Sequence, residues 1–203
     1  MEYSERRRLQ ALETEQAILK ATVDLAREKG FDRVSIRAIC ARAGITTGAF
    51  YHHFPSKEAL LARGFAPLDA YMEALMTGNE GEPPLERLWV LLSGYAGFME
   101  GMGWKLVARY YVHRLSAPSF ASMDPTRFTL RSMLECLAAI QAEGGLVPSV
   151  TAEWAADFLF RHFRGVVVDW VLHQGAYPLL PKLEQDYRFF QQSLEQTAER
   201  DST

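Results

Sequence analysis

Apolar residues recur at helical spacing along nearly the whole chain, and no stretch alternates apolar and polar positions as a half-buried strand would. Ile18, Thr22, Leu25 and Ala26 give one buried stripe and predict a first helix from about Thr14 to Lys29. Gly30 is placed to end it with a left-handed residue, and Phe31 to fold back onto its last turn. Ser35 can cap a second helix that buries Ile36, Ile39 and Cys40 or Ala43, and Gly44 supplies a sharp turn into a third. Thr46 can cap that third helix, and Phe50 and Phe54, four apart, share its inward face. Pro55 stops it, Ser56 caps the next, and Leu60, Leu61, Phe65, Leu68, Met72 and Leu75 carry a fourth helix towards Gly78.

Thr77 to Pro84, reading TGNEGEPP, is a loop by composition and the natural compositional break. Five further helices are predicted beyond it: Leu85 to Glu100, Trp104 to Leu115, Pro125 to Glu143, Ala152 to Gln174 and Pro181 to Glu199, with breaks rich in Gly and Pro. The fold class is therefore all-α. Residues 1–57 are expected to form a three-helix helix-turn-helix domain and residues 58–203 a larger helical domain for ligand binding and dimerisation, joined by a helix from about 56 to 77.

The outward face of the third helix changes the picture. Within Ile45 to Lys57, ITTGAFYHHFPSK, Thr47, Gly48, Tyr51, His52 and His53 are left facing solvent once Phe50 and Phe54 turn inward. A short helix that is polar outside and anchored by two aromatics has little reason to exist as core, and a helix-Gly-helix arrangement of this kind suits a surface that touches DNA. The longer segment ILKATVDLAREKGFDRVSIRAICARAGITTGAFYHHFPSKEALL resembles, almost position by position, the N-terminal domain of the TetR/AcrR family of bacterial transcriptional repressors. The resemblance rests on Gly30-Phe31, Ser35, Ala43-Gly44-Ile45, Tyr51 with His53-Phe54, and Lys57 followed by Leu60. It covers about the first quarter of the chain.

A helix-turn-helix reader lays its recognition helix in the major groove with the N-terminal residues nearest the base edges. Thr46, Thr47 and Gly48 are accordingly expected against bases or their methyl groups, the glycine permitting close backbone approach. Ser35, Tyr51, His53 and Lys57 are expected to hold phosphates and set register, Lys57 with the added help of a helix N-terminus. Arg37 could reach a guanine or a phosphate, and His52 completes the candidate contacts. The resemblance supports Ser35, Arg37, Thr47, Gly48, Tyr51, His53 and Lys57 residue by residue.

Net charge is −3, which suits a DNA binder poorly until it is divided along the chain. Residues 1 to 60 hold ten Lys/Arg against eight Asp/Glu, whereas residues 61 to 203 hold twelve against seventeen. Arg6, Arg7 and Arg8 form a basic arm that could cross a phosphate backbone, or remain a solvated end. Composition, at 48% hydrophobic and 23% charged, is that of an ordinary globular protein. MEYSERRRLQ lacks the apolar stretch of a signal peptide, no run is long and apolar enough to span a membrane, and a cytoplasmic location is expected. Cys40 and Cys136 form neither a disulfide framework nor a metal pattern; no cofactor or metal is expected, with redox sensing by either cysteine an outside possibility.

Two demands compete for the apolar residues of the second half. Trp89, Tyr95, Met99, Trp104, Tyr110, Phe120, Phe128 and Met133 concentrate large aromatics and adaptable methionines, with Arg109 and His113 as a polar pair four apart. Aromatics at helical spacing are usually plain core; the resemblance implies instead a cavity for a small inducing molecule. The other demand is a two-fold partner, since a single short recognition helix reads DNA weakly alone. Trp154, Phe158, Gly165, Val166, Trp170, Tyr187, Phe190 and Leu194 are the candidate dimer residues, the resemblance placing the final helix pair against its symmetry mate. Gly165 costs about 1 kcal/mol against alanine in a helix interior, which close helix approach could offset.

No nucleophile elbow, phosphate loop or His-Glu metal pattern is present, and Asp157 with Arg161 or Asp169 with His173 read as helix-surface ion pairs. The expectation is a non-enzymatic, sequence-specific DNA-binding regulator, in the resemblance a repressor, homodimeric on a palindromic double-stranded operator. A small, largely apolar or aromatic effector would release it, without membrane involvement. A regulator without a ligand, or one controlled by a protein partner, is the alternative.

Overall fold

In the computed structural model of the chain, residues 3–63, 66–116 and 127–200 are described. They form α1 Tyr3–Lys29, a single 3-10 turn Phe31–Arg33, α2 Ile36–Ala43, α3 Thr47–His53, α4 Ala59–Arg63, α5 Ala66–Thr77, α6 Pro84–Met102, α7 Trp104–Leu115, α8 Phe128–Ala142, α9 Ala152–Leu172 and α10 Leu179–Arg200. No strand occurs among the described residues. None of the helices described is long and apolar enough to cross a membrane.

Local chemistry fixes the element ends. The side-chain oxygens of Ser35, Thr46 and Thr151 accept the backbone N–H of Ala38 (3.2 Å), Ala49 (3.1 Å) and Trp154 (3.2 Å). Each satisfies a donor that the first helical turn leaves without a partner. Ser56 does the same for Ala59 at 3.2 Å. Gly44 ends α2 at φ 69, ψ 31, the left-handed region that costs a Cβ-bearing residue steric energy.

Two sequence expectations are corrected. The first helix begins at Tyr3, not near Thr14, so Arg6, Arg7 and Arg8 lie on helix and not on an extended arm. The reason is that propensity alone extends a helix through residues that bury nothing, and periodicity registers only those that do. The expected fourth helix is not among these: α4 and α5 both fall within its span, and residues 64–65, Phe65 included, lie outside the described residues. α9 stops at Leu172, two residues short of the expected Gln174.

The chain divides into two units, the described residues of Met1–Ala66 with Met102–Pro118, and those of Pro67–Gly101 with Ser119–Thr203. In the first, Ile18, Leu19, Ala21, Leu25 and Ala26 of α1 are buried with Phe31, Val34, Ile39, Phe50, Phe54 and Leu60, and α7 adds Leu106 and Val107. α7 thus folds with the N-terminal helices, although the sequence pattern places residues 58–203 as a block in the second domain. In the second unit, Met72, Leu88, Leu91, Leu92, Ala96 and Met99 are buried, as are Met133, Cys136, Leu137, Leu159, Phe163 and Val167. Burial raises the Cys136 thiol above its ordinary pKa, against the opposing pull of Arg87.

Candidate nucleic-acid interface

α3 is held from behind. Phe50 and Phe54 are 0% and 1% exposed, their ring centroids 5.9 Å apart. One face of this seven-residue helix is therefore fully committed to the core. Its opposite face is free: Thr46, Thr47, Gly48, Tyr51 and His52 are exposed and His53 half-buried. Tyr51 stands edge-on to Phe50 at 5.5 Å while keeping 54% of its surface.

The start of α3 is chemically prepared for hydrogen bonding. Thr46 uses its oxygen as an acceptor for the Ala49 N–H, which leaves its hydroxyl proton to donate outward. Ser35, capping α2 through the same geometry, keeps its proton in the same way. At Gly48 an added Cβ would meet, beyond its own helix backbone and among the described residues, only Thr46 Oγ1, at 3.9 Å, so no described contact requires a glycine there. Arg37 is exposed on α2.

Lys57 differs from the sequence expectation in part. Its ammonium, half-buried, donates to the backbone carbonyls of Phe31 (3.2 Å) and Asp32 (3.3 Å) and lies 4.8 Å from the Phe31 ring centroid. The ring face adds a cation–π attraction to those two bonds. Two of its three N–H donors are thus spent within the chain, leaving one for an external anion. Two contacts were invisible to sequence reasoning because their partners are far apart along the chain. Arg42 of α2 donates from both terminal nitrogens to Glu28 of α1, at 3.0 and 3.3 Å. This charge-assisted hydrogen bonding holds the Glu28 carboxyl below its usual range. Arg109 of α7 pairs with Asp32 at 2.8 Å.

The residues expected to line a ligand cavity are divided between the units. Trp104, Arg109, Tyr110 and His113 are on α7 in the first, Trp89, Tyr95, Met99, Phe128 and Met133 are in the second, and Phe120 lies outside the described residues. Tyr95, Met99 and Met133 are buried, and Trp89 stacks on Tyr187 at 5.2 Å. His113 Nδ1 and Arg109 Nε are buried atoms without a hydrogen-bond partner among the described residues.

The dimer candidates also separate. Trp154 and Phe158 are exposed by 54% and 42%, and Gly165 is exposed, with no atom of the described residues beyond its own helix backbone within 4 Å of where its Cβ would stand. Val166 and Phe190 are half-buried. Trp170 and Tyr187 instead face inward: the indole N–H of Trp170 donates to the Tyr177 carbonyl (2.9 Å) and the Tyr187 hydroxyl to the Leu85 carbonyl (2.6 Å). Their polar handles find partners inside the chain, which periodicity could not foretell. The side chain of Leu194 lies outside the described residues. Val168 and Leu172, which the sequence pattern does not single out, are exposed by 36% and 74%. With Trp154, Phe158 and Gly165 they fall at three-, four- and seven-residue steps along one outward stripe of α9. Asp157 with Arg161 is an i, i+4 ion pair, as expected, and His173 Nδ1 lies 3.4 Å from the Asp169 carboxylate and 2.9 Å from its carbonyl.

Residues 18–63 match the family model for bacterial regulatory proteins of the tetR family. Over 81 residues the chain is 36% identical to the HTH-type transcriptional repressor KstR of Rhodococcus jostii (strain RHA1), a match covering 40% of this chain and only 38% of that protein. Over 159 residues it is 23% identical to the HTH-type transcriptional repressor DhaR of Mycobacterium sp. (strain GP1), covering 75% and 79%. Among solved structures, one described as the molecular basis for control of antibiotic production by bacterial hormones superposes with TM-score 0.70 at 26% identity, covering 87% of this chain and 94% of the other. FadR of Bacillus subtilis in complex with stearoyl-CoA shares the fold at TM-score 0.65 and 18% identity, covering 85% and 95%.

Proposed function

The chain belongs to the tetR family of bacterial regulatory proteins, and on that premise we propose that it is a sequence-specific DNA-binding repressor, released from a palindromic operator by a small, largely apolar effector. The observation that carries this reading is the start of α3. Thr46, Thr47 and Gly48 are exposed on a helix whose other face is buried through Phe50 and Phe54, so the reading groups stand on a rigid support. Gly48 answers to no contact among the described residues, and its lack of a side chain suits close approach of a base edge. In this reading Ser35, Arg37, Tyr51, His52, His53 and the remaining donor of Lys57 hold the phosphates.

The outward stripe of α9 supports a homodimer. Five residues including two stacked aromatics, left in water on one face, are costly for a monomer, and the gap over Gly165 lets a second helix come close. The effector is assigned to the second unit. Tyr95, Met99 and Met133 are buried there, an aromatic ring and two adaptable thioethers whose chemistry suits an apolar molecule. KstR and DhaR are repressors by name, which supports the sign of regulation.

The test is selection of bound sequences from a random duplex pool, followed by salt titration of the winners. The reading expects two inverted half-sites and an affinity that falls steeply with salt. Failure of a dimeric sample to enrich any sequence at low salt would overturn it.

A further inference from the structure

Sequence spacing sets Arg109 beside a ligand, yet α7 folds with the N-terminal helices. The seam between α7 and α1 is close. Gly103, at φ 80 and ψ 143, precedes α7, and a Cβ on it would stand 3.2 Å from Arg27 Cγ. Gly30, at φ 83 and ψ 140, follows α1, and its Cβ would stand 3.8 Å from Lys105 Cδ. Two glycines in a backbone region confined to glycine thus bring the start of α7 against the end of α1.

The 3-10 turn Phe31–Arg33 leaves this seam gripped by two cations from distant parts of the chain. Lys57, two residues before α4, holds the carbonyls of Phe31 and Asp32. Arg109 of α7 holds the Asp32 carboxylate at 2.8 Å. The same Asp32 therefore serves both, through its backbone to the start of α4 and through its side chain to α7. Lys57 is separated from the end of α3 by Phe54, Pro55 and Ser56, so the placement of the turn fixes the placement of Lys57, and with it the exit of the reading helix.

We propose that Arg109 is a positioning residue for DNA reading, acting through Asp32 to seat the turn on which Lys57 rests. The inference rests on the DNA-binding function given above. Arg109 would touch no DNA itself. Its contribution is that of one exposed ion pair, so the effects are a few-fold.

The experiment is a double-mutant cycle of Arg109→Gln and Asp32→Asn in the full chain, read by affinity for the selected duplex and by amide hydrogen exchange of the free protein. Arg109→Gln is expected to weaken binding about two- to fivefold with an unchanged salt slope, since no phosphate contact is lost. In an Asp32→Asn background it is expected to change affinity by less than about twofold, because the pair is already broken. Arg109→Lys should restore most of the loss. Exchange of the Val34, Leu60 and Leu61 amides, which bond to Phe31, Lys57 and Glu58, should quicken, while amides of α9 hold. Equal effects of Arg109→Gln in both backgrounds would overturn the proposal, as would a salt slope reduced by one contact or unchanged exchange at those three amides. A wild-type chain that binds no duplex would overturn the DNA-binding function itself, and Arg109's role with it. A wild-type chain that binds while Arg109→Gln alters neither readout would overturn only the role of Arg109.

Discussion

The indole of Trp154 lies parallel to the ring of Phe158, with centroids 5.3 Å apart and planes 6° from parallel, and both rings remain exposed on the outward face of α9. Stacking of this kind gathers apolar surface into one patch and does not bury it within the chain. A two-fold interface counts each residue twice, so an anchor worth about 2 kcal/mol weakens the dimer by about 4 kcal/mol, roughly a thousandfold in dissociation constant. Trp154→Glu is expected to give a folded monomer in sedimentation with a melting temperature close to that of the wild-type monomer. A wild-type-like dimer would remove this face from the interface.

Glycines test the same patch from another side. Gly165→Ala is expected to stabilise an isolated protomer by up to about 1 kcal/mol, since the site is an exposed helix interior with open space around the new methyl. It is also expected to weaken the dimer if a partner helix crosses there. Gly44→Ala should do the opposite to the fold. Open space around Gly44 admits the methyl, but its left-handed backbone at φ 69 opposes a Cβ. That conformation costs an L-residue about 1 kcal/mol or somewhat more. Denaturant melts on both variants separate the two effects.

Thr46 and Thr47 are neighbours with different work. Thr46→Ala removes the cap on Ala49 N–H and is expected to cost about 1 kcal/mol of stability. Thr47 is exposed and caps nothing, so Thr47→Ala should leave the melt unchanged and shift the preferred base within the half-site. Repeat selection on each variant, beside its melting curve, checks both. A stable Thr47→Ala protein with wild-type preference would place Thr47 away from the bases.

Tyr177 gives the clearest pH dependence. Burial is the larger cause and the hydrogen bond to Asp169, 2.6 Å from hydroxyl to carboxylate, the next; together they push its phenol up to about 12. Its folded pKa lies above the unfolded value, so its contribution to stability is whole below about pH 10 and is lost as pH rises towards 12. Asp169→Asn should bring the phenol part of the way back, since burial stays. Phenolate absorbance against pH reads this directly, with Tyr187 also expected to titrate late because burial raises it. A Tyr177 that titrates with the bulk of the tyrosines would show its hydroxyl to be free.

The caps, the turn and the buried face around α3 are legible in the sequence because their signals are local. Ser35, Gly44, Thr46 and Ser56 each act within a few residues of their own position, and Phe50 with Phe54 declare a buried face by spacing alone. The helices from Trp104 to Leu115 and from Ala152 onward are legible for the same reason. What spacing cannot carry is the identity of the surface that meets a buried stripe. Leu106 and Val107 announce that α7 is covered, not that α1 and α4 pack against it. The inward turn of Trp170 and Tyr187 depends on carbonyls at Tyr177 and Leu85, and the carbonyls that take up Lys57 lie 26 and 25 residues upstream of it. Arg6 to Arg8 do not announce themselves as helix because they bury nothing, and a helix that buries nothing leaves no period in the sequence.

The most direct measurement is the affinity of the chain for its selected duplex against the same duplex with both half-sites scrambled, at one physiological salt concentration. The account predicts a preference of at least about a thousandfold for the selected sequence, the range of a specific protein–DNA complex. Equal affinity for the two duplexes would contradict it, since the exposed start of α3 would then be holding phosphates without reading bases.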